Sequence, residues 1–341
     1  MTNQMKAVVV GAPGQIELVS RNLPDRMEGE VLIRIRRAGI CGTDFHIYAG
    51  QHPFLTYPRL IGHELSGTVE AVQKGSAFVP GQIVTVIPYI ACGICHACSQ
   101  GKPNCCMAIA VLGVHKDGGM CEYLSVPESN VMAVEGLTLD EAATVEFLAI
   151  GAHAVRRAGD IKGRAVLVVG AGPIGLAVTI MAGIAGAAVT LADTDAARLA
   201  LAGGTFPLTA TLLADADFPP AVAAATKGVG FDVVFDATGN RASMERGFSL
   251  VAHGGTYVFA GLIKDDITFA DSEFHKREIT LMASRNATEA DFAHVIASIR
   301  SGEVPADQLL THRTSLNDVT QNLPYWSKHK DGLIKALVEV A

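Results

Sequence analysis

The chain has 341 residues, of which 49% are apolar and 18% are charged, and its formal net charge is −7. This composition excludes a disordered chain, and the length suffices for two domains with sizeable cores. An acidic chain without a Lys- or Arg-rich stretch lacks the clustered cations that bind phosphates. We therefore expect no nucleic-acid partner.

Targeting signals are not evident in the sequence. The amino-terminal segment MTNQMKAVVVGAPGQ lacks the long apolar stretch and the cleavage site of a signal peptide. The longest apolar stretch, residues 176–191, is shorter than the roughly 18 apolar residues that a membrane-spanning helix requires. We expect a cytoplasmic protein without a membrane partner, in which seven cysteines serve purposes other than disulfides.

The pattern of elements changes along the chain. Short β-rich runs occupy residues 5–147, among them MKAVVV, IELVS, VLIRIRRAG, SGTVEAV and IVTVIP, and predict a mostly antiparallel, barrel-like domain. From about Gly151 apolar strands alternate with Ala-rich helices, as in AVLVVG, PIGLAVTIMAGIAG, AVTLAD, FDVVFDATG and GGTYVFAGL, which predicts a parallel sheet. After about Thr288 two helices and the apolar run GLIKALVEV are expected to return to the first domain.

A glycine-rich loop follows the first strand of the predicted parallel sheet. In VLVVGAGPIGLA, Gly170, Gly172 and Gly175 form G-x-G-x-x-G between a strand and a helix. The missing side chains let a pyrophosphate approach the backbone at the start of the helix. Asp193 ends the next strand, where a carboxylate binds ribose hydroxyls and repels a 2′-phosphate, so we predict NAD rather than NADP. The alternative is a turn that serves only helix packing.

The segment YIACGICHACSQGKPNCC carries closely spaced cysteines. Cys92, Cys95, Cys98 and Cys106 can converge on one tetrahedral Zn²⁺, and four sulfurs would leave no open position, which predicts a structural site. Spacing alone also allows Cys105 as the fourth ligand. The alternatives to a zinc site are reduced surface thiols or a redox pair.

Two further clusters contain metal-ligating side chains. One thiolate, one imidazole and one or two carboxylates form a zinc shell with room for water or substrate, which is typical of catalytic sites. A lone Cys or His is more often a core residue, so these clusters alone leave both interpretations open. Their polar residues are Cys41, Thr43, Asp44 and His46 in GICGTDFHIYAG, and His63 and Glu64 in LIGHELSG.

The order of these motifs, from GICGTD through GHE, the four-Cys lobe and GAGPIG to the acid after the second strand, resembles the zinc-dependent medium-chain dehydrogenases. The similarity lies in the sorbitol, threonine and sugar-acid branch and covers essentially the whole chain. It implies an α/β fold with a GroES-like β-rich catalytic domain (1–149 and 289–341) and a doubly wound Rossmann domain for NAD (150–288). It also implies two Zn²⁺ per subunit and a homodimer or homotetramer, for which GGTYVFAGL could supply an edge strand.

The resemblance assigns roles to the clustered residues. Cys41, His63 and Glu64 would bind the catalytic zinc, and Glu146 would be a further carboxylate that binds directly or through water. Phe147 departs from the polyol branch, which usually has Pro after this Glu.

The same resemblance implies a zinc-dependent oxidation of a secondary alcohol with hydride transfer to NAD. The substrate proton would leave through the hydroxyl of Thr43 and then His46, and Asp44 would orient His63. In the coenzyme domain, Arg198 would reach the adenosine phosphate or ribose, although an Arg here could equally be a solvated surface residue. The other residues implied to contact NAD are Pro173 and Ile174 in the loop, and Thr238, Gly261 and Leu262 on the nicotinamide side.

Several segments resemble bacterial hexonate dehydrogenases, which oxidise sugar acids such as L-galactonate or L-gulonate to 5-keto acids. These segments are VIPYIAC, VLGVHKDGGMCEYLSVP, AVRRAG, DATGN and FHKREITLMASRNAT. Arg285, with Asn286, is the candidate partner of the substrate carboxylate, although relatives that use neutral polyols share this Arg. The alternatives are a polyol or threonine-type dehydrogenase and a catalytically silent NAD-binding protein; the metal residues disfavour a zinc-free quinone reductase. Cys105 and Cys121 have no assigned role beyond packing.

Overall fold

The computed structural model describes residues 4–52, 55–206 and 208–340. The chain divides into two compact units. Unit 1 comprises the residues up to Glu146 and those from Thr288 onwards, and unit 2 is Phe147–Ala287. Across the described residues, every helix is too short or too polar to cross a membrane.

The amino-terminal segment is built from short strands and few helices. Its alternating side chains follow the period of two expected for strands with one buried face, as in β3, where Val31, Ile33 and Ile35 are buried and Arg34 is exposed. The strands are β1 (Gln4–Ala12), β2 (Gln15–Asn22), β3 (Glu30–Ile40), β4 (Arg59–Leu60), β5 (Glu64–Ala71), β6 (Ile83–Val86), β7 (Tyr89–Ile90), β8 (Ala110–Val111), β9 (Tyr123–Pro127) and β10 (Val131–Ala133). The helices are α1 (Gly42–Tyr48), α2 (His96–Ser99) and α3 (Leu139–Arg157), with 3₁₀ turns at Pro103–Cys105 and Glu128–Asn130.

Unit 2 contains a six-stranded parallel sheet with the strand order β13-β12-β11-β14-β15-β16. Its strands are β11 (Ala165–Val169), β12 (Ala188–Asp193), β13 (Ala210–Leu213), β14 (Phe231–Asp236), β15 (Val251–Phe259) and β16 (Thr280–Ala283). Its helices are α4 (Pro173–Ile184), α5 (Ala196–Thr205), α6 (Phe218–Ala225), α7 (Arg241–Gly247) and α8 (Asp271–Arg277), with a 3₁₀ turn at Phe248–Leu250. The alternation of strands and helices confirms the predicted Rossmann fold.

One expectation about this sheet was wrong. The run GGTYVFAGL contains β15, which pairs with β14 on one side and with β16 on the other, so it is not an edge strand. The edges are β13 and β16. The four residues of β16, TLMA, are too few to show the period of a strand. The sequence therefore offered no sign that a further strand pairs with β15 on its outer side.

The carboxy-terminal segment completes the seven-stranded sheet of unit 1. It contains α9 (Glu289–Arg300), α10 (Ala306–Leu309), β17 (Leu310–Ser315), α11 (Val319–Lys328) and β18 (Lys335–Glu339). Strand β18 pairs antiparallel with β3, with Ala336 opposite Ile40, and parallel with β17. The full order is β10-β6-β5-β3-β18-β17, with β9 also paired to β3. The predicted return of GLIKALVEV to the first domain is confirmed.

Candidate functional site

Three side chains that can ligate a metal converge in unit 1. One ligand atom each of Cys41, His63 and Glu64 lies within 4.8 Å of the other two. Cys41 directly precedes α1, and His63 directly precedes β5, whose first residue is Glu64. On the neighbouring strand β3, Gly39 lies opposite Glu64, and a Cβ there would overlap with its carboxylate. The missing side chain therefore makes room for the acid.

The chemistry of this group fits a bound cation. Nδ1 of His63, Oε2 of Glu64 and Oε2 of Glu146 are buried, and none of these atoms has a hydrogen-bond partner within the described part of the chain. Buried polar atoms are normally paired, because leaving one unpaired costs about 1–3 kcal/mol. Thiolate, imidazole and carboxylate are zinc ligands, so the residues present fit a zinc ion.

Glu146 lies on α3 and outside the group of three. The hydroxyl of Tyr89 donates a hydrogen bond to its Oε1 atom. Burial raises the pKa of Glu146 to about 7, although the charge of His63 acts in the opposite direction. Burial and the carboxylate of Glu146 hold the pKa of Tyr89 well above its usual value, so the phenol remains a donor. Sequence reasoning did not identify Tyr89.

A buried lysine pairs with Glu64. Nζ of Lys335 lies 2.5 Å from Oε1 of Glu64, and these two side chains are 1% and 0% exposed. Nζ also donates to the carbonyl oxygen of Ile40 at 3.4 Å. Burial lowers the pKa of Lys335, but Glu64 and Cys41 more than offset this and raise it. The sequence signal for this pair, a single Lys within the apolar run GLIKALVEV, was overlooked.

Asp44 connects the two segments that carry the group of three. Its Oδ2 atom accepts from the backbone N–H of Cys41 at 2.9 Å, and its Oδ1 atom accepts from that of Gly62 at 3.3 Å. Nδ1 of His63 has no hydrogen-bond partner in the described chain. The two hydrogen bonds of Asp44 therefore fix the backbone beside His63 and do not hold its imidazole ring. Burial raises the pKa of Asp44, and His63 opposes this rise. For His63, burial lowers the pKa, but Cys41, Asp44 and Glu146 raise it well above its usual value.

Thr43 and His46 lie three positions apart on α1, so they occupy the same side of the helix. Thr43 is half-buried and His46 is exposed. The helix therefore presents a half-buried hydroxyl and an exposed imidazole on one side.

The four predicted cysteines form a second group. The Sγ atoms of Cys92, Cys95, Cys98 and Cys106 all lie within 4.8 Å of one another, and the Cys95–Cys98 and Cys92–Cys106 distances are 3.5 and 3.4 Å. Cys106, not Cys105, joins the group; Cys105 is exposed. This answers the question that the spacing left open.

The backbone lowers the pKa of two of these cysteines, whereas burial and the thiol of Cys95 raise the pKa of Cys98 to about 12. The N–H of Met107 donates to Sγ of Cys95 at 3.4 Å, and this bond and one from Cys98 lower the pKa of Cys95 to about 6. Amides of Ile94 and Cys95 likewise lower the pKa of Cys92. The fit to a tetrahedral zinc ion rests on the convergence of the four sulfurs, each of which binds the metal as a thiolate.

The glycine-rich loop joins β11 to α4. Gly170 has φ +103°, and a Cβ on Gly175 would overlap with the carbonyl oxygen of Gly170. Both positions therefore require glycine. Gly172 is the N-cap of α4 without a side-chain cap, and Pro173 occupies the first turn followed by Ile174. This leaves the first amides of the helix available to a phosphate.

Asp193 closes this loop from the end of β12. Its Oδ2 atom accepts from the N–H of Ala171 at 2.5 Å, and its Oδ1 atom accepts from that of Asp195 at 2.8 Å. The carboxylate therefore fixes the loop as well as placing a negative charge beside it. Arg198 lies on α5 with Nε 3.6 Å from a carboxylate oxygen of Asp195.

A buried acid joins the two loops predicted to contact nicotinamide. Asp236 accepts from the N–H and hydroxyl of Thr238 at 2.9 and 2.6 Å, and its carbonyl oxygen accepts from the N–H of Gly261 at 2.8 Å. Leu262 follows and is 80% exposed. Sequence reasoning did not single out Asp236, whose signal was its position at the end of the apolar strand FDVVFD.

Arg285 and Asn286 directly follow β16 in unit 2. Arg285 is exposed, and Asn286 is half-buried in the left-handed conformation with φ +54°. Asn tolerates this conformation better than most residues.

Comparisons with known proteins identify the family. A model of the alcohol dehydrogenase GroES-like domain matches residues 27–136, and one of the zinc-binding dehydrogenases matches residues 173–301. L-galactonate-5-dehydrogenase from Escherichia coli K12 is 45% identical over 310 residues, which cover 91% of each protein. The chain belongs to the zinc-binding dehydrogenase family. The predicted family is confirmed for this dehydrogenase, and so is the predicted combination of a GroES-like domain with a Rossmann domain.

Solved structures agree with this assignment. The crystal structure of the short chain alcohol dehydrogenase rspB from E. coli CFT073 with NADH matches with a TM-score of 0.93 at 30% identity, over 99% of this dehydrogenase and 100% of that chain. L-idonate 5-dehydrogenase from E. coli K-12 has a TM-score of 0.91 at 25% identity, with coverage of 99% and 98%.

Proposed function

We propose that this dehydrogenase oxidises a secondary alcohol of a hexonate, such as L-galactonate, to the 5-keto acid with NAD. The observation that carries the proposal is the convergence of Cys41, His63 and Glu64 in a chain 45% identical to L-galactonate-5-dehydrogenase. The similarity to L-idonate 5-dehydrogenase supports the same substrate class.

In this proposal the two groups of metal-ligating residues hold different zinc ions. Cys41, His63 and Glu64, with Glu146 as a further carboxylate, hold the catalytic ion. Bound zinc supplies a Lewis acid that lowers the pKa of the substrate hydroxyl, and bound NAD supplies the hydride acceptor. Because four sulfurs saturate a tetrahedral ion, the second site serves stability. Its ligands are Cys92, Cys95, Cys98 and Cys106.

The residues of α1 remove the proton. The Thr43 hydroxyl accepts the proton of the substrate hydroxyl and passes its own to His46, which is exposed and releases it to solvent. Asp44 keeps α1 and the segment before His63 in register through its two backbone hydrogen bonds. The reaction is balanced, since the alcohol loses one hydride to NAD⁺ and one proton to water.

Unit 2 provides the NAD site. The uncapped start of α4 at Gly172 suits the pyrophosphate, and Asp193 disfavours the 2′-phosphate of NADP. The further contacts that we propose are Pro173 and Ile174 beside the pyrophosphate, Arg198 at the adenosine, and Thr238, Gly261 and Leu262 at the nicotinamide. We propose in addition that residues 1–149 and 289–341 form the catalytic domain and residues 150–288 the NAD-binding domain, with boundaries within three residues of those of the two compact units.

The substrate class is tested with matched compounds. Each hexonate is compared with the hexitol that carries a hydroxymethyl group in place of the carboxylate, and NADH formation is followed by absorbance with and without a chelator. We expect chelator-sensitive turnover with a preference for the hexonate. Arg285→Met should raise KM for the hexonate and leave that for the hexitol unchanged, whereas Arg285→Lys should retain part of the preference. A preference for hexitols would replace the hexonate assignment by a polyol dehydrogenase.

We also propose a cytoplasmic homo-oligomer, either a dimer or a tetramer, that assembles through the edge strand β16. An edge strand presents unpaired backbone groups, and its Leu281 is 37% exposed. Light scattering of wild type and Leu281→Asp tests this, since the variant should dissociate. A variant with unchanged mass would rule out this interface.

A further inference from the structure

Tyr89 occupies a fixed position beside the metal-ligating group. It begins β7, and its side chain is buried. The side-chain amide of Asn130 donates to the carbonyl oxygen of Tyr89 at 3.2 Å, and the ring of Phe292 meets the Tyr89 ring edge-on with centroids 6.4 Å apart. The phenol is therefore held at both its backbone and its ring, and it has little freedom to move.

The hydroxyl of this fixed ring contacts one oxygen of one carboxylate. It donates to Oε1 of Glu146, while Oε2 of Glu146 is buried and has no hydrogen-bond partner within the described residues. The two oxygens of Glu146 are thus distinguished: a neutral donor occupies one, and the other remains available to a cation. A partner of this kind orients a metal ligand without touching the metal.

We propose that Tyr89 is a positioning residue, which holds Glu146 by Oε1 and so leaves Oε2 as the oxygen that would face the catalytic zinc. This inference rests on the proposed function, because it requires zinc at the site formed by Cys41, His63 and Glu64. It adds a residue from β7 to a site otherwise built from the residue before α1, the start of β5 with the residue before it, and α3. Tyr89 acts through Glu146 and not on the substrate.

The test measures metal binding rather than turnover. The catalytic zinc is exchanged for Co²⁺ while the four-Cys lobe retains zinc, and both the Co²⁺ spectrum and the zinc affinity are recorded for Tyr89→Phe. This variant keeps the ring and its contact with Phe292 but removes the donor. The matched control is Tyr257→Phe, since Tyr257 is also buried and donates one hydrogen bond, to the carbonyl oxygen of Met244 at 2.9 Å in unit 2.

We expect Tyr89→Phe to weaken zinc binding by about 10- to 100-fold, the usual effect of losing such a partner, and to shift the Co²⁺ spectrum. The control should change neither. In a Glu146→Gln background, Tyr89→Phe should have no further effect, because the group through which it acts is gone. Unchanged or tighter zinc binding in Tyr89→Phe, or an equal loss in the Glu146→Gln background, would overturn the inference. Failure of the wild type to bind metal at this site would instead refute the proposed function.

Discussion

Replacement of the buried lysine offers the sharpest test of the electrostatics of the site. Lys335→Met keeps the length and apolar stem of the side chain but leaves the carboxylate of Glu64, which is 0% exposed, without its cation at 2.5 Å. Breaking a buried pair by removing one partner costs about 3–5 kcal/mol, because the remaining charge is uncompensated. At about 2–4 °C per kcal/mol for a unit of this size, the apparent Tm should fall by roughly 6–20 °C.

Thermal unfolding of zinc-free and zinc-loaded protein measures this effect. The loss should be larger without zinc, since a bound cation also compensates the charge of Glu64. The double variant Lys335→Met with Glu64→Gln should regain most of the lost stability. Lys74→Met, at an exposed lysine in the same unit, is the matched control and should leave Tm unchanged. A zinc-free Lys335→Met protein whose Tm lies within about 3 °C of wild type would refute the reasoning from an uncompensated buried charge.

Three further variants test separate parts of the molecule. Cys95→Ser should lower the zinc content from two ions to one per chain and lower Tm, whereas Cys105→Ser should change neither. Metal analysis that finds two ions in Cys95→Ser would contradict the four-sulfur site. Gly175→Ala should weaken NADH binding by about tenfold or more, equivalent to about 1.4 kcal/mol, because the new Cβ overlaps with the Gly170 carbonyl oxygen. An unaltered affinity in a fluorescence titration would count against the loop assignment. Thr43→Ala should lower kcat by about 100-fold with unchanged zinc content, and Thr43→Ser should restore much of it; a fully active Thr43→Ala enzyme would exclude the proton pathway.

The sequence predicted those parts of the site that lie within one short segment. Gly170 and Gly175 fall five positions apart between a strand and a helix, and the spacing of the cysteines brings three of them into one loop. In such cases the local backbone determines which atoms meet. The choice between Cys105 and Cys106 was beyond spacing, since neighbouring residues point in different directions and only the folded lobe distinguishes them.

The residues that were missed act through contacts between distant segments. Lys335 reaches Glu64 across 271 positions, and Tyr89 reaches Glu146 across 57. No local periodicity encodes such pairs. The error over β15 has a similar origin, because the position of a strand within a sheet depends on which later segment adds beside it, and four residues of β16 gave no signal of their own.

The pairing of β18 with β3 has a consequence for the order in which the two units fold. A ribosome synthesises Glu64 271 residues before it adds Lys335. At 5–20 residues per second this interval lasts roughly 14–54 s. During that time the nascent sheet lacks the interior strand β18 and its acid lacks a countercharge, while every strand of the parallel sheet in the coenzyme unit is synthesised. The Rossmann unit can therefore fold first, and the metal centre is completed only when the last strand inserts.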